Sequence, residues 1–170
     1  MLKIFNELRP FCEDNYRRIH VRQYAKIVRK SPPTASKILE LYKKENLLKS
    51  EEDKQYKYYA ANNKSGFFRD LSRVYWKVRL EESGCIKMLE QELLFPIVIM
   101  FGSLSKAEAK ADSDIDIAVF TPSKKEIMLK EAERKLKRKI QLFVFSSREM
   151  VKNKDLLNNI LNGYIIKGNW

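Results

Sequence analysis

Apolar residues recur at helical spacing through the first 45 positions of the chain. Leu2, Phe5 and Leu8 share one face, and Val21, Tyr24, Ala25 and Val28 share that of a second short helix. Ala35, Ile38, Leu39 and Tyr42 form the stripe of a third helix, from about Pro33 to Glu45. Ser31-Pro32-Pro33 opens it, because Ser caps a helix and Pro suits its first turn. The period then changes. Leu47 to Ser50 and Gln55 to Ala60 read as two strands around the polar turn Glu51-Glu52-Asp53-Lys54. Gly66 to Leu94 is helical again, with Phe67, Leu71, Val74, Tyr75 and Val78 on one face and Gly84 as a break. The remainder alternates. Strands are predicted at Phe95–Phe101, Asp114–Phe120 and Ile140–Phe145. A short helix or loop is predicted at Ser103–Lys110, an amphipathic helix at Lys124–Lys137 and a closing helix at Asp155–Ile166. The whole reads as a mixed α/β (α+β) chain: an N-terminal helical and hairpin domain over 1–62, a helical connector over 63–93, and a small mixed-sheet domain over 94–170.

A length of 170 residues permits two small domains, each with its own modest core. The charge changes the picture. Lys+Arg is 34 against 22 for Asp+Glu, a net +12, which suits polyanionic partners such as nucleic acid or nucleotides, although the charge alone serves a solvated lysine-rich surface equally well. Cys12 and Cys85 are far apart, without a CxxC, and His20 is the only histidine, so a zinc site is not expected. Two such cysteines read as buried thiols of a reducing compartment. The longest apolar run, Leu93 to Phe101, is interrupted by Pro96 and too short to span a bilayer, and MLKIFNELRP lacks the apolar core of a signal peptide. The expectation is a cytoplasmic protein with no membrane partner.

The strand at 114–120 carries the candidate chemistry. Strand side chains alternate, so Asp114 and Asp116 point one way while Ile115, Ile117 and Val119 point the other. Their Cα atoms lie about 6–7 Å apart. Two carboxylates at that spacing repel, and a divalent cation relieves the repulsion; Mg²⁺ takes one or two carboxylates plus water and phosphate oxygens. Gly102-Ser103 follows the preceding strand. Gly lets a phosphate approach the backbone, and the Ser103 hydroxyl adds a donor.

Gly-Ser, ten intervening residues, then Asp-x-Asp resembles the signature of the minimal nucleotidyltransferases of the DNA polymerase beta superfamily. The resemblance extends from about Phe95 to Trp170, with Ser113 before Asp114 in agreement. It implies that Gly102 and Ser103 bind phosphate and that Asp114 and Asp116 are catalytic metal ligands. The implied cofactors are Mg²⁺ and a nucleoside triphosphate, with ATP the expected one. The implied reaction is attack of an acceptor hydroxyl on the α-phosphate with loss of pyrophosphate. Minimal members of this family modify partner proteins, so a protein hydroxyl is an expected acceptor. The chain departs from the pattern twice. The third carboxylate of the family corresponds to Gln141, which offers a metal a carbonyl oxygen but cannot act as a base. Ser105-Lys106-Ala107 stands where Ala-Arg-Gly is common, leaving Lys106 as a point charge for phosphate. Gln141 makes a non-enzymatic regulator that senses nucleotide, or uses the fold to dimerise, the alternative to an active enzyme.

The N-terminal stretch HVRQYAKIVRKSPPTASKILELYKKENLLKSEEDKQYKYYAAN resembles a winged helix-turn-helix. That resemblance implies double-stranded DNA as partner, transcription regulation as the role and a homodimer as the assembly. Such a module places the start of its second motif helix in the major groove. Thr34, Ser36 and Lys37 lie there, and Arg22, Lys30, Lys44, Lys54 and Lys57 are the candidates for phosphate contact. No Arg or Asn stands at the tip of that helix, so base-specific readout has little support.

Overall fold

The computed structural model describes residues 2–170. They form an α+β chain with two sheets and eight α-helices among the described residues. Two compact units result. The N-terminal unit runs to Tyr75 and includes Ala107–Ala111; the C-terminal unit comprises Trp76–Lys106 and Asp112–Trp170. The helices expected as a connector, α4 (Gly66–Ser83) and α5 (Cys85–Glu92), divide between these units. Gly84 separates them in a left-handed conformation, φ 86°.

The N-terminal unit opens with α1 (Lys3–Glu13), a two-residue strand β1 (Ile19–His20), α2 (Val21–Val28) and α3 (Pro32–Lys44). Ser31 caps α3, its hydroxyl accepting from the Thr34 amide at 3.4 Å. The hairpin β2 (Leu48–Asp53) and β3 (Tyr56–Ala61) follows, and the sheet order is β1-β3-β2, antiparallel throughout. The predicted turn at 51–54 is shorter than expected. Glu51, Glu52 and Asp53 stay in the strand, and the chain reverses at Lys54-Gln55 with Lys54 at φ 51°. Arg18 gives the acids their reason to stay extended, since it pairs with both Glu51 and Asp53. Leu8, Phe11, Tyr24, Leu39 and Tyr59 fill the core. Asn15, also buried, holds Ala107–Ala111 on this unit: its Oδ1 accepts from the Ala109 amide at 2.7 Å, and its own amide donates to the Ala109 carbonyl at 2.8 Å.

The C-terminal unit is a four-stranded mixed sheet of order β6-β5-β4-β7. Its strands are β4 (Ile97–Phe101), β5 (Ile115–Phe120), β6 (Ile140–Phe145) and β7 (Tyr164–Lys167). β4 is antiparallel to β5 and β7; β5 and β6 are parallel. Both faces are apolar. Val98, Met100, Ile115, Ile117 and Val119 are buried on one face; Ile99, Phe101, Ala118 and Phe120 cluster on the other under Val151 and Ile160. Ile160 comes from α8 (Lys154–Leu161), which also brings Leu156 and Leu157.

Two predicted helices are shorter here. α7 covers only Lys130–Leu136. The Thr121 hydroxyl donates to the Leu94 carbonyl at 2.8 Å, and the Ser123 hydroxyl accepts from the Leu94 amide at 2.9 Å, so the chain leaving β5 is tied along 121–123 instead of coiling. The closing helix ends at Leu161 and β7 follows. A Cβ on Gly163 would lie 2.7 Å from Ile99 Cγ2, so only glycine lets the chain turn back so closely over β4. The terminal Trp170 packs on Phe120, ring centroids 5.0 Å apart, under the guanidinium of Arg148.

Removing the α8 anchor tests this packing. Ile160→Ala is expected to cost about 2–5 kcal/mol through the cavity left on the sheet, read as a lower urea midpoint; an unchanged midpoint would contradict it.

Candidate active site

Asp116 sits in β5 opposite Phe101 of β4 on one side and Gln141 of β6 on the other. It shares its face with Ala118 and Phe120, so the apolar layer under α8 ends where the carboxylate begins. Asp114 lies just before β5. The residues on either side of it are held: Arg138 donates to the Ser113 carbonyl, and the Ile115 amide donates to the Lys139 carbonyl at 2.9 Å. The Arg138 guanidinium in turn rests 5.0 Å above the Trp76 ring. Both acids are half-buried. Burial pushes the Asp116 carboxyl above its ordinary range, and the charge of Asp114 adds to the push.

Gly102 opens the short helix α6 (Gly102–Lys106) directly after β4. Two constraints require glycine there. Its φ is 69°, and an added Cβ would overlap Asp116 Oδ2 and stand 3.2 Å from Cγ. The Gly-Ser turn therefore lies against the carboxylate. The Ser105 hydroxyl donates to the Gly102 carbonyl at 2.9 Å and closes the turn. Lys106, placed among the phosphate ligands by sequence, is exposed and donates to Asn159 Oδ1 of α8 at 3.0 Å. Asn159 carries no signal that would have singled it out.

Gln141 stands beside the pair, as its register with Asp116 requires, and its Nε2 donates to Asp114 Oδ2 at 2.8 Å. Among the described residues no three acidic, histidine or cysteine side chains come together. The donor set is two carboxylates and a neutral amide. That set fits one hard divalent cation completing its shell with water and phosphate oxygens. A raised acid beside a like charge, against a turn with no side chain, is an arrangement such an ion would neutralise.

The second group of predicted residues lies in the N-terminal unit. Arg22 is exposed on α2, Lys30 in the turn before α3, and Lys37 and Lys44 on the face of α3 opposite its buried Ala35, Leu39 and Tyr42. Lys54 is exposed at the tip of the hairpin. Thr34 is exposed, but its hydroxyl is engaged with Ser31 at 2.9 Å, and Ser36 is half-buried. The ammonium of Lys57, the remaining candidate for phosphate contact, is bound to Glu40 Oε1 at 2.5 Å, and Tyr59 donates to the same oxygen. Sequence reasoning passed over Glu40. Its helical phase places it among Lys37 and Lys44, and the Lys57 bond, with that of Tyr59, holds its carboxyl below the ordinary range.

Two substitutions test the acid pair. A folded-state pKa raised above the unfolded one means stability fully present below the ordinary aspartate value, about 3.9, and lost as pH rises through the raised value. Asp116→Asn without divalent ions is therefore expected to melt about 2 °C above wild type at pH 7, allowing for the half-exposure of the group. The gap should close in acid; equal melting at pH 7 would contradict the burial cost. Gly102→Ala is expected to destabilise by about 1–3 kcal/mol in denaturant titration, and a neutral effect would separate the turn from Asp116.

Comparison with curated proteins gives no match. Residues 84–167, from the turn before α5 to the end of β7, match the family model for polymerase beta, nucleotidyltransferase, and this match supports a nucleotidyltransferase domain in the C-terminal part of the chain.

Proposed function

We propose that the C-terminal unit binds a Mg²⁺-bound nucleoside triphosphate, ATP first among them, and transfers its nucleotidyl group to a hydroxyl of a protein or other macromolecule. The observation that carries this reading is the Asp116 carboxylate set against Gly102, with Asp114 held beside it. In this reading Asp114 and Asp116 hold the metal ion, whose chemistry is charge neutralisation on the triphosphate. The Gly102-Ser103 turn receives the phosphates through backbone amides and the Ser103 hydroxyl, and Lys106 adds a positive charge at the end of α6. The acceptor oxygen forms a bond to the α-phosphorus, the bond to the bridging oxygen breaks, and pyrophosphate leaves. The acceptor proton passes to solvent, because Gln141 has no basic site at neutral pH.

Gln141 favours a second reading, a nucleotide sensor that binds without turnover. Its amide occupies the place of an acid and already bonds Asp114. The N-terminal unit supports a DNA-binding role for either version. What supports this reading is the order of helix, strand, two helices and hairpin, with the sheet order β1-β3-β2, as expected of a winged helix-turn-helix, and the outward face of α3, which carries Lys37 and Lys44. Recruitment to DNA in the cytoplasm, as a homodimer, completes the proposal.

Calorimetry with ATP is expected to show binding that EDTA abolishes; metal-independent binding, or none, would overturn both versions. Label transfer from α-³²P-ATP that rises tenfold or more in Gln141→Asp supports the enzyme, whereas binding with no transfer in either protein supports the sensor. Duplex DNA affinity should fall steeply with salt, and Lys37→Glu with Lys44→Glu should weaken it at least tenfold. Unchanged binding in that variant would remove α3 from the interface.

A further inference from the structure

The edge of a sheet presents a row of backbone amides and carbonyls, and folds blunt such edges with shortness, charge or bulges. Three of the four edge strands among the described residues are blunted. β1 has two residues, and β2 carries Lys49 and three acids. β7 has four residues, a register shift against β4 and the charge of Lys167. β6 has none of these devices: its six residues, Ile-Gln-Leu-Phe-Val-Phe, include no charge, proline or glycine.

The β5–β6 ladder decides which backbone groups of β6 are used. The Ile115 amide donates to the Lys139 carbonyl and the Thr121 amide to the Phe145 carbonyl, both at 2.9 Å. With the parallel register between them, Gln141, Phe143 and Phe145 turn their amides and carbonyls toward β5, and Ile140, Leu142 and Val144 turn theirs outward. The Ile140 amide is taken by Glu133 Oε1 at 2.8 Å. Among the described residues nothing bonds the outward amides and carbonyls of Leu142 and Val144. Val144 is 39% exposed and lines, with Leu142, Ile127 and Met128, a groove of about 570 Å³.

We propose that β6 pairs antiparallel with β6 of a second copy of this chain, about a two-fold axis at Phe143. The interface presupposes the homodimer proposed above and gives it a surface. The axis sets Leu142 opposite the partner subunit's Val144, and Val144 opposite the partner subunit's Leu142. These are hydrogen-bonded pairs, each exchanging two N–H···O bonds, so every free group of both strands is used. A register centred on Leu142 would instead call on the Ile140 amide, which Glu133 holds. Charge suits a copy as partner: over residues 140–146 there is no charged side chain, so self-pairing sets no like charges opposite each other. Leu142 and Val144 of both copies fall on one face, beside the exposed Met128. The joined sheet ends at β7 on both sides, where the edge is blunted, so assembly closes at two copies.

The full chain, ¹⁵N-labelled, is followed by light scattering and by amide hydrogen exchange as its concentration rises. Wild type is expected to reach twice the mass of one chain. The Leu142 and Val144 amides should then exchange at least tenfold more slowly than in dilute solution. Val144→Pro removes an outward amide at a position where an edge strand tolerates proline, and Val144→Lys brings charge into the pairing. Each should raise the dimer dissociation constant at least tenfold. Val144 is exposed, so Val144→Lys keeps the test open if Val144→Pro fails to fold. A dimer that persists in both variants, with the Leu142 and Val144 amides exchanging freely, would overturn the β6 interface and leave the homodimer standing. A chain that stays monomeric would overturn both. Slow exchange at Leu142 and Val144 in a monomer would overturn the interface as well.

Discussion

Two like charges are held at the end of a sheet that is otherwise apolar on both faces. The backbone around Asp114 is fixed by Arg138 and by the β5–β6 ladder, and Asp116 is fixed by its place in β5. Neither acid can leave without breaking strand register, since a one-residue slip would carry both carboxylates onto the face on which Ile115, Ile117 and Val119 are buried. The mutual repulsion is therefore built into the fold. Gly102 completes the constraint by leaving no side chain between Asp116 and the turn after β4.

The N-terminal unit manages charge differently. Its hairpin is paired to residues outside it: Glu51 and Asp53 to Arg18, which precedes β1, and Lys57 to Glu40 of α3. The cations left facing outward gather along α3 and at the turn before it. A net charge of +12 is thus a poor guide to which lysines are available, because their partners lie far away in sequence: 17 residues from Lys57 to Glu40, and 35 from Arg18 to Asp53.

Much of this was legible in the sequence where a local rule governed it. The period of apolar positions marked α2 and α3, Ser31-Pro32-Pro33 marked the start of α3, and the resemblance to the nucleotidyltransferase pattern singled out Gln141 as the partner of the acids. The parts that were not legible depend on contacts over distance. Lys124–Met128 has helical spacing, yet the bonds of Thr121 and Ser123 to Leu94 tie down the chain before it. β1 is too short to have a period. β7 did have a signal, Asn162-Gly163 before Tyr-Ile-Ile, which is a breaker followed by β-branched residues; the helical pattern ahead of it masked the change. Glu40 looked like an ordinary solvated residue until Lys57 and Tyr59 of the hairpin were seen to converge on it.

The central claim is that the acid pair and the Gly102-Ser103 turn form one site for a metal-bound triphosphate. A crystal structure grown with Mn²⁺ and a non-hydrolysable ATP analogue tests it most directly. The account predicts an anomalous peak between the Asp114 and Asp116 carboxylates, with phosphate density at the Gly102-Ser103 amides. A clean nucleotide bound elsewhere on the C-terminal unit, with the two acids facing only solvent, would contradict it.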